Sequence, residues 1–345
     1  MFDVSSLVSR VCYILTVFLN STLIYLTCCQ TKEIVGTYRN MIITFAVIGI
    51  SFSTLDILVR PMFHSFNGCL FYFTLGNTFR FSKTVSELSL LTYCGTYSCI
   101  LAFLTVQFVY RASVIARPSW TKYFDGWKLG YWVLYSFFFG FLWSYSSSWG
   151  YPDQYSYAYL RDEILESYGI EVNTIPGYTI LAYNGAMSFA NIRWNSVATV
   201  ACVSLILTSQ YSIVLLAAIT MYRNIKGNMN TSSSYYERLQ KQFFITLIYQ
   251  ISAPSLIFHL PAFIVIVAPF FDLRVSFHSR FVVYCFSAYP LVDSLIVLTV
   301  ISEYKNAFKR CIHWIMKDIY ECLGGDTPRP PPSSTSFQAA NLTAL

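Results

Sequence analysis

Seven stretches of this chain, at roughly residues 7–29, 41–59, 88–110, 129–149, 196–222, 241–268 and 281–301, run almost without a charged side chain. An α-helix rises about 1.5 Å per residue, so about 20 such residues cross a hydrocarbon core of ~30 Å. Lipid offers no partner to a backbone amide, which leaves the helix as the form open to runs of this length. The pattern predicts an all-α membrane protein, a seven-transmembrane helix bundle spanning residues 1–301. Composition agrees, because 55% hydrophobic and 12% charged residues over 345 positions cannot coat a soluble globule.

An odd number of crossings puts the termini on opposite faces. With the N-terminus outside, the inner loops and tail hold fifteen Lys and Arg and the outer side eight. Cytoplasmic loops favour cations, so the chain is expected N-terminus outside and C-terminus cytoplasmic. The start, MFDVSSLVSR, has an acid where a cleaved leader has bases, and the first helix is expected to stay as an anchor. The net charge of +6 does not point to nucleic acid, since the cations lie between apolar runs. The ten cysteines form no metal-ligand spacing, so neither a metal nor a cofactor is expected. Residues 150–195 hold no cysteine, which rules out a disulfide into that loop and leaves Cys69 free.

Four polar features stand out. Arg111 falls at the end of the third run, where the plain reading is an arginine snorkelling to lipid headgroups. Asp293 lies about twelve residues into the seventh, where a carboxylate costs at least ~2.5–3.5 kcal/mol. It is either a protonated packing group or one half of a two-state element with Asn20 in the first run. Asp56 has Arg60 four residues on, a spacing that favours an outward-facing ion pair at the interface over a ligand-facing carboxylate. In the sixth run Pro254 and Pro261 lie two turns apart on one face and predict a hinge, with His259 between them.

Beyond the seventh run, Tyr304, Phe308, Ile312, Ile315 and Ile319 recur every three or four residues among lysines and arginines. Residues 302–323 therefore read as an amphipathic eighth helix lying on the inner leaflet, with membrane lipid as its partner. Cys311 and Cys322 are palmitoylation candidates or plain thiols. Residues 324–345, rich in Pro, Ser and Thr, read as a disordered cytoplasmic tail.

The run Tyr110, Arg111, Ile115, Pro118 resembles the Asp-Arg-Tyr signature of G-protein-coupled receptors, with Tyr110 in place of the acid and Ala112 in place of the tyrosine. FVYRASVIARP at 108–118, VGTYRNMIITFAV at 35–47, QKQFFITLIYQISAPSLIFHLP at 240–261 and YPLVDSLIVLTVISEYKNAFKR at 289–310 together resemble the nematode seven-transmembrane chemoreceptors of the Str superfamily. Ser294 departs from that pattern, which places a proline after the aspartate, and Pro290 supplies a kink one turn earlier.

The resemblance implies a G-protein-coupled chemosensory receptor, not an enzyme. Its setting would be the plasma membrane, as a multi-pass protein in the sensory cilium of a chemosensory neuron, with a heterotrimeric G protein as partner. Tyr110, Arg111, Ile115 and Pro118 would serve coupling, and Asn20, Asp293, Pro254, Pro261 and Pro290 activation. Ser89, Thr92, Tyr93, Tyr211, His259 and Tyr284 are candidates to line a pocket in the outer halves of helices three, five, six and seven, roofed by residues 150–195. The scarcity of charge in those spans suits a small, neutral, hydrophobic ligand. A seven-helix ligand-gated odorant channel with inverted topology is the alternative, and the lysine and arginine count opposes it. A retinal protein would need a lysine within 281–301, which has none, and no GxSxG or HExxH occurs to support a hydrolase.

Overall fold

A computed structural model describes residues 2–31, 36–75, 81–227, 234–271, 276–278 and 280–322. The helices are α1 (Phe2–Tyr25, continued by a π turn at Leu26–Gln30), α2 (Thr37–Val59), α3 (Lys83–Ala116), α4 (Leu129–Ser148), α5 (Gln154–Tyr168) and α6 (Trp194–Gly227). They are followed by α7 (Ser234–Pro254), a π turn at Ser255–His259, α8 (Leu260–Val267), α9 (Arg280–Val300) and α10 (Ser302–Cys322). Each of the seven expected apolar runs is helical, and most extend a turn or more beyond the expected bounds. Among the described residues, five helical segments are long and apolar enough to cross a membrane: Leu7–Gln30, Thr37–Val59, Lys83–Ala116, Trp194–Lys226 and Val282–Val300. The run at α4 is diluted by Tyr, Trp and Ser, and the sixth run is broken by its prolines.

Helix α3 is the axis of the bundle, packed by α2, α4, α6 and α7 and buried along most of its length. Its closest neighbour is α4, and glycine is the reason. A Cβ on Gly95 would stand 2.8 Å from the Gly140 carbonyl oxygen, and one on Gly140 2.7 Å from that of Gly95. Small residues of this kind let two backbones touch where lipid supplies no hydrophobic drive between helices. The aromatics of α4 that face away, such as Phe137, Phe138, Phe141 and Tyr145, are exposed, as expected of lipid-facing residues.

The long connections are not simple loops, and here the all-α expectation is corrected. Strands β1 (Met62–Phe66), β2 (Cys69–Phe73), β3 (Gly177–Leu181) and β4 (Ser276–His278) form an antiparallel sheet in the order β3-β2-β1-β4. Asn67, in the left-handed region at φ 46°, and Gly68 turn β1 into β2, as Asn-Gly pairs do between strands of aromatic residues. Alternation then gives the sheet two apolar faces. Cys69, Phe71 and Phe73 pack under Leu160 and Ile164 of α5, while Leu70 and Tyr72 join the main core. Helix α5 starts at Asp153, whose carboxylate accepts the Ser156 amide at 2.9 Å, and stops at Gly169, φ +69°.

Helix α10 begins directly after α9. Tyr304 is fully buried and shares a 2.8 Å hydrogen bond with Thr27 in the π turn that ends α1. Ala307 is buried too, and Ile312 is exposed. The side chains of Ile315 and Ile319, Cys322, and the tail from 323 onward lie outside what is described.

Candidate functional site

Below the sheet lies a cavity of about 120 Å³. Phe63, Leu70, Tyr72 and Ile180 of the sheet roof it, and its walls come from α3, α4, α6, α8 and α9. Trp143, Val203, Ala262 and Phe286 make those walls largely apolar. At its floor His259 places Nε2 2.5 Å from the Tyr97 hydroxyl and Nδ1 2.6 Å from that of Tyr211. Tyr211 also shares a 2.7 Å bond with Ser255. Three helices that pass the cavity are thereby tied together at the π turn.

That turn is where the hinge was expected. Prolines 254 and 261 each lack a backbone N–H donor, and between them the backbone relaxes into one wider turn. The Ser255 hydroxyl bonds back to the Ile251 carbonyl at 2.5 Å. His259, between the prolines, bridges two tyrosines.

Of the proposed pocket residues, Tyr93 and His259 line the cavity, and Tyr211 stands directly behind His259. Ser89 and Thr92 do not belong to the lining, because their hydroxyls turn back to the Val85 and Leu88 carbonyls of their own helix. Tyr284 lies on α9, half-buried, and is also outside the lining.

Asp56 overturns its reading as an interfacial ion pair. It is 2% exposed and accepts the Tyr93 hydroxyl at 3.0 Å and the Ser287 hydroxyl at 2.6 Å, joining α2, α3 and α9. Arg60 follows as a left-handed C-cap at φ 49°, so the backbone has left the helix before the i+4 spacing can bring the two side chains together. One face of α2 carries the buried Ile48, Phe52 and Asp56 at helical spacing, a signal diluted by apolar residues all round.

Asn20 and Asp293 line one small cavity with Phe45, Gly49, Ile100, Tyr289 and Pro290, but they do not bond to each other. Asn20 donates to the Thr16 carbonyl at 3.0 Å. Asp293 lies near Gln250 of α7, and its Oδ1 is buried with no hydrogen-bond partner.

At the end of the bundle away from the sheet, Arg111 is not at the helix terminus: α3 continues to Ala116, and the arginine is 4% exposed. It does not reach for headgroups. Its guanidinium carbon stands 3.2 Å from the Tyr38 ring centre and 3.7 Å from that of Phe243, with Nε and Nη2 buried and unpartnered. Tyr110 stacks on Tyr38 at 6.4 Å and meets Phe124 edge-on. Ile115 is half-buried, and the exposed Pro118 opens the turn to α4. An arginine between two rings from α2 and α7 replaces the acid-held arginine of the resembled signature.

The helical membrane bundle thus has a roofed apolar cavity at one end and a clamped buried arginine at the other. Residues 5–309 match the family described as serpentine type 7TM GPCR chemoreceptor Str. The chain belongs to that family. It is 40% identical over 309 residues to "G-protein coupled receptor str-33" of Caenorhabditis elegans, covering 88% of this chain and 90% of the relative. It is also 22% identical over 294 residues to "Serpentine receptor class r-10" of the same organism, with 85% and 86% covered. "G-protein coupled receptor str-217" is 21% identical over 323 residues, covering 89% of this chain and 90% of that one.

Proposed function

We propose that this chain is a G-protein-coupled chemosensory receptor of the plasma membrane, with all seven runs crossing, the sheet outside and α10 on the inner leaflet. A small, neutral, hydrophobic ligand enters the cavity beneath the sheet, and a heterotrimeric G protein meets the Arg111 end. The observation that carries this is the physical link between the two ends. His259 joins α3, α6 and the sixth-run π turn at the cavity floor, and Arg111 joins α2, α3 and α7 at the far end. A ligand that alters the first contact changes how the α7–α8 segment sits against α3, and Tyr110, Arg111, Ile115 and Pro118 lie where that change would be read. Pro254 and Pro261 bound the hinge, while Asn20, Asp293 and Pro290 surround a buried polar cavity that can re-pair as the helices shift. Placement in a sensory cilium follows from the family's chemosensory character.

The test is a second-messenger assay in cells expressing the full chain. Arg111→Ala is expected to keep surface expression and ligand binding while cutting the maximal response by about tenfold or more, the effect of ~1.4 kcal/mol lost at the coupling end. Equal loss of binding and response would make Arg111 a folding residue and defeat the coupling role.

A further inference from the structure

At the polar floor of the cavity, the direction of each hydrogen bond follows from counting protons. Ser255 Oγ lies 2.5 Å from the Ile251 carbonyl oxygen, which can only accept, so the serine proton is used there. Tyr211, 2.7 Å from Ser255 Oγ, must therefore be the donor in that pair. Its single proton is now committed, so it accepts from His259 Nδ1, 2.6 Å away, and Nδ1 carries the ring proton. No acid is among the ring's bonded partners, and a neutral imidazole has one N–H, which leaves Nε2 bare. Tyr97 donates to Nε2 at 2.5 Å. Tyr97, which lines the cavity, is left with an oxygen that carries lone pairs and no proton to give.

The other polar groups of the wall leave that bias in place. The Tyr93 hydroxyl is donated to Asp56, and that of Thr199 to the Ser146 and Asn195 carbonyls. Ser147 and Ser204 also line the cavity, but a serine hydroxyl rotates to either role and does not discriminate. No acidic side chain is among the lining residues, so a buried ammonium would have no counter-charge.

We propose that this cavity selects ligands that donate a hydrogen bond, compact alcohols above all, over carbonyl compounds of the same skeleton. The inference rests on the reading of the cavity as the ligand site. A ketone oxygen set against the Tyr97 oxygen would pair acceptor with acceptor and leave both buried without a proton. Ser255 fixes the direction of the whole chain, because only its bond to the Ile251 carbonyl forbids the reverse arrangement.

The test uses the full chain in lipid nanodiscs and two matched probe sets: cyclohexanol, cyclohexanone and methylcyclohexane, and their cyclopentyl counterparts. Thermal stabilisation against probe concentration gives each Kd. The alcohols are expected to bind about five- to a hundredfold tighter than the ketones, the range set by leaving a buried polar group unpaired. Tyr97→Phe should remove that advantage. Ser255→Ala should narrow it by letting the proton chain reverse, so that Tyr97 can donate. Ketones binding as tightly as alcohols to the unaltered protein would overturn the proposal while leaving the cavity as a ligand site. So would an alcohol preference that survives Ser255→Ala unchanged. Failure of every probe to bind would overturn the cavity reading and the proposal together.

Discussion

Arg111 shows how much one side chain's surroundings decide. A guanidinium is planar and weakly hydrated, so it stacks between Tyr38 and Phe243 where a lysine ammonium would not, and a desolvated contact of this kind contributes roughly 2 kcal/mol. The clamp joins helices that must part if α7 is to swing away from α3. Phe243→Leu keeps an apolar side chain and removes one ring, so basal second-messenger output at equal surface level should rise severalfold, by about the factor that ~1 kcal/mol confers. Output equal to the unaltered receptor's would reduce the clamp to packing. That Arg111 stands apart was legible from charge, since so few cations enter the apolar runs, but charge alone pointed to a snorkelling side chain. Its partners were not legible, because Tyr38 and Phe243 are two aromatics among 27 Tyr and 29 Phe, and only tertiary packing singles them out. Asp56 failed in the opposite way. The i+4 arginine suggested a surface pair, and the left-handed cap at Arg60 removed the geometry on which that rule depends.

Among the elements, the apolar helices were read from length and hydropathy, while α5 and the sheet were missed. Its signal lay in FHSFNGCLFYF, where Asn67-Gly68 separates two runs of strand-forming aromatics, but the apolar character of 60–87 passed for loop between membrane spans. β3 and β4 were less legible still, because each is short and earns its register only from a distant partner. Gly177 is the residue that admits β3, since a Cβ there would fall 2.7 Å from Phe71 and Phe73 atoms. The α3–α4 contact carries a prediction at this scale. Gly140→Ala should lower the melting temperature of the detergent-solubilised protein by an amount matching ~1–3 kcal/mol of overpacking. Gly95→Ala should do likewise, and the double variant should cost less than the sum, because the first methyl already forces the helices apart. Additive losses would show that the two glycines act separately.

Across the whole molecule, the sheet, α5 and the start of α6 form one body at the cavity end of the bundle. Asp153 helps to hold it, bonding Arg193 at 2.9 Å as well as capping α5. Burial works against the charged form, but the Ser156 hydroxyl and amide and then Arg193 outweigh it and hold the carboxyl at about 2. A lowered value stabilises the fold above the ordinary carboxylate range and loses that contribution as pH falls toward 2. Asp153→Asn should therefore melt earlier than the unaltered protein by a constant margin from neutral pH down to about 4.5, and the margin should shrink only below that. A margin that already vanishes near pH 6 would assign the effect to another group. The roof also bears on how the receptor is made. The nine described cysteines are all free, and Cys69, the one inside the sheet, is buried with its thiol pushed well up from the ordinary range. A lid closed by strand pairing needs no oxidase to finish it during synthesis, and a thiol so protonated offers little for oxidants to attack. The cover over the cavity is thus secured by chain geometry alone, indifferent to whether the surrounding medium is oxidising or reducing.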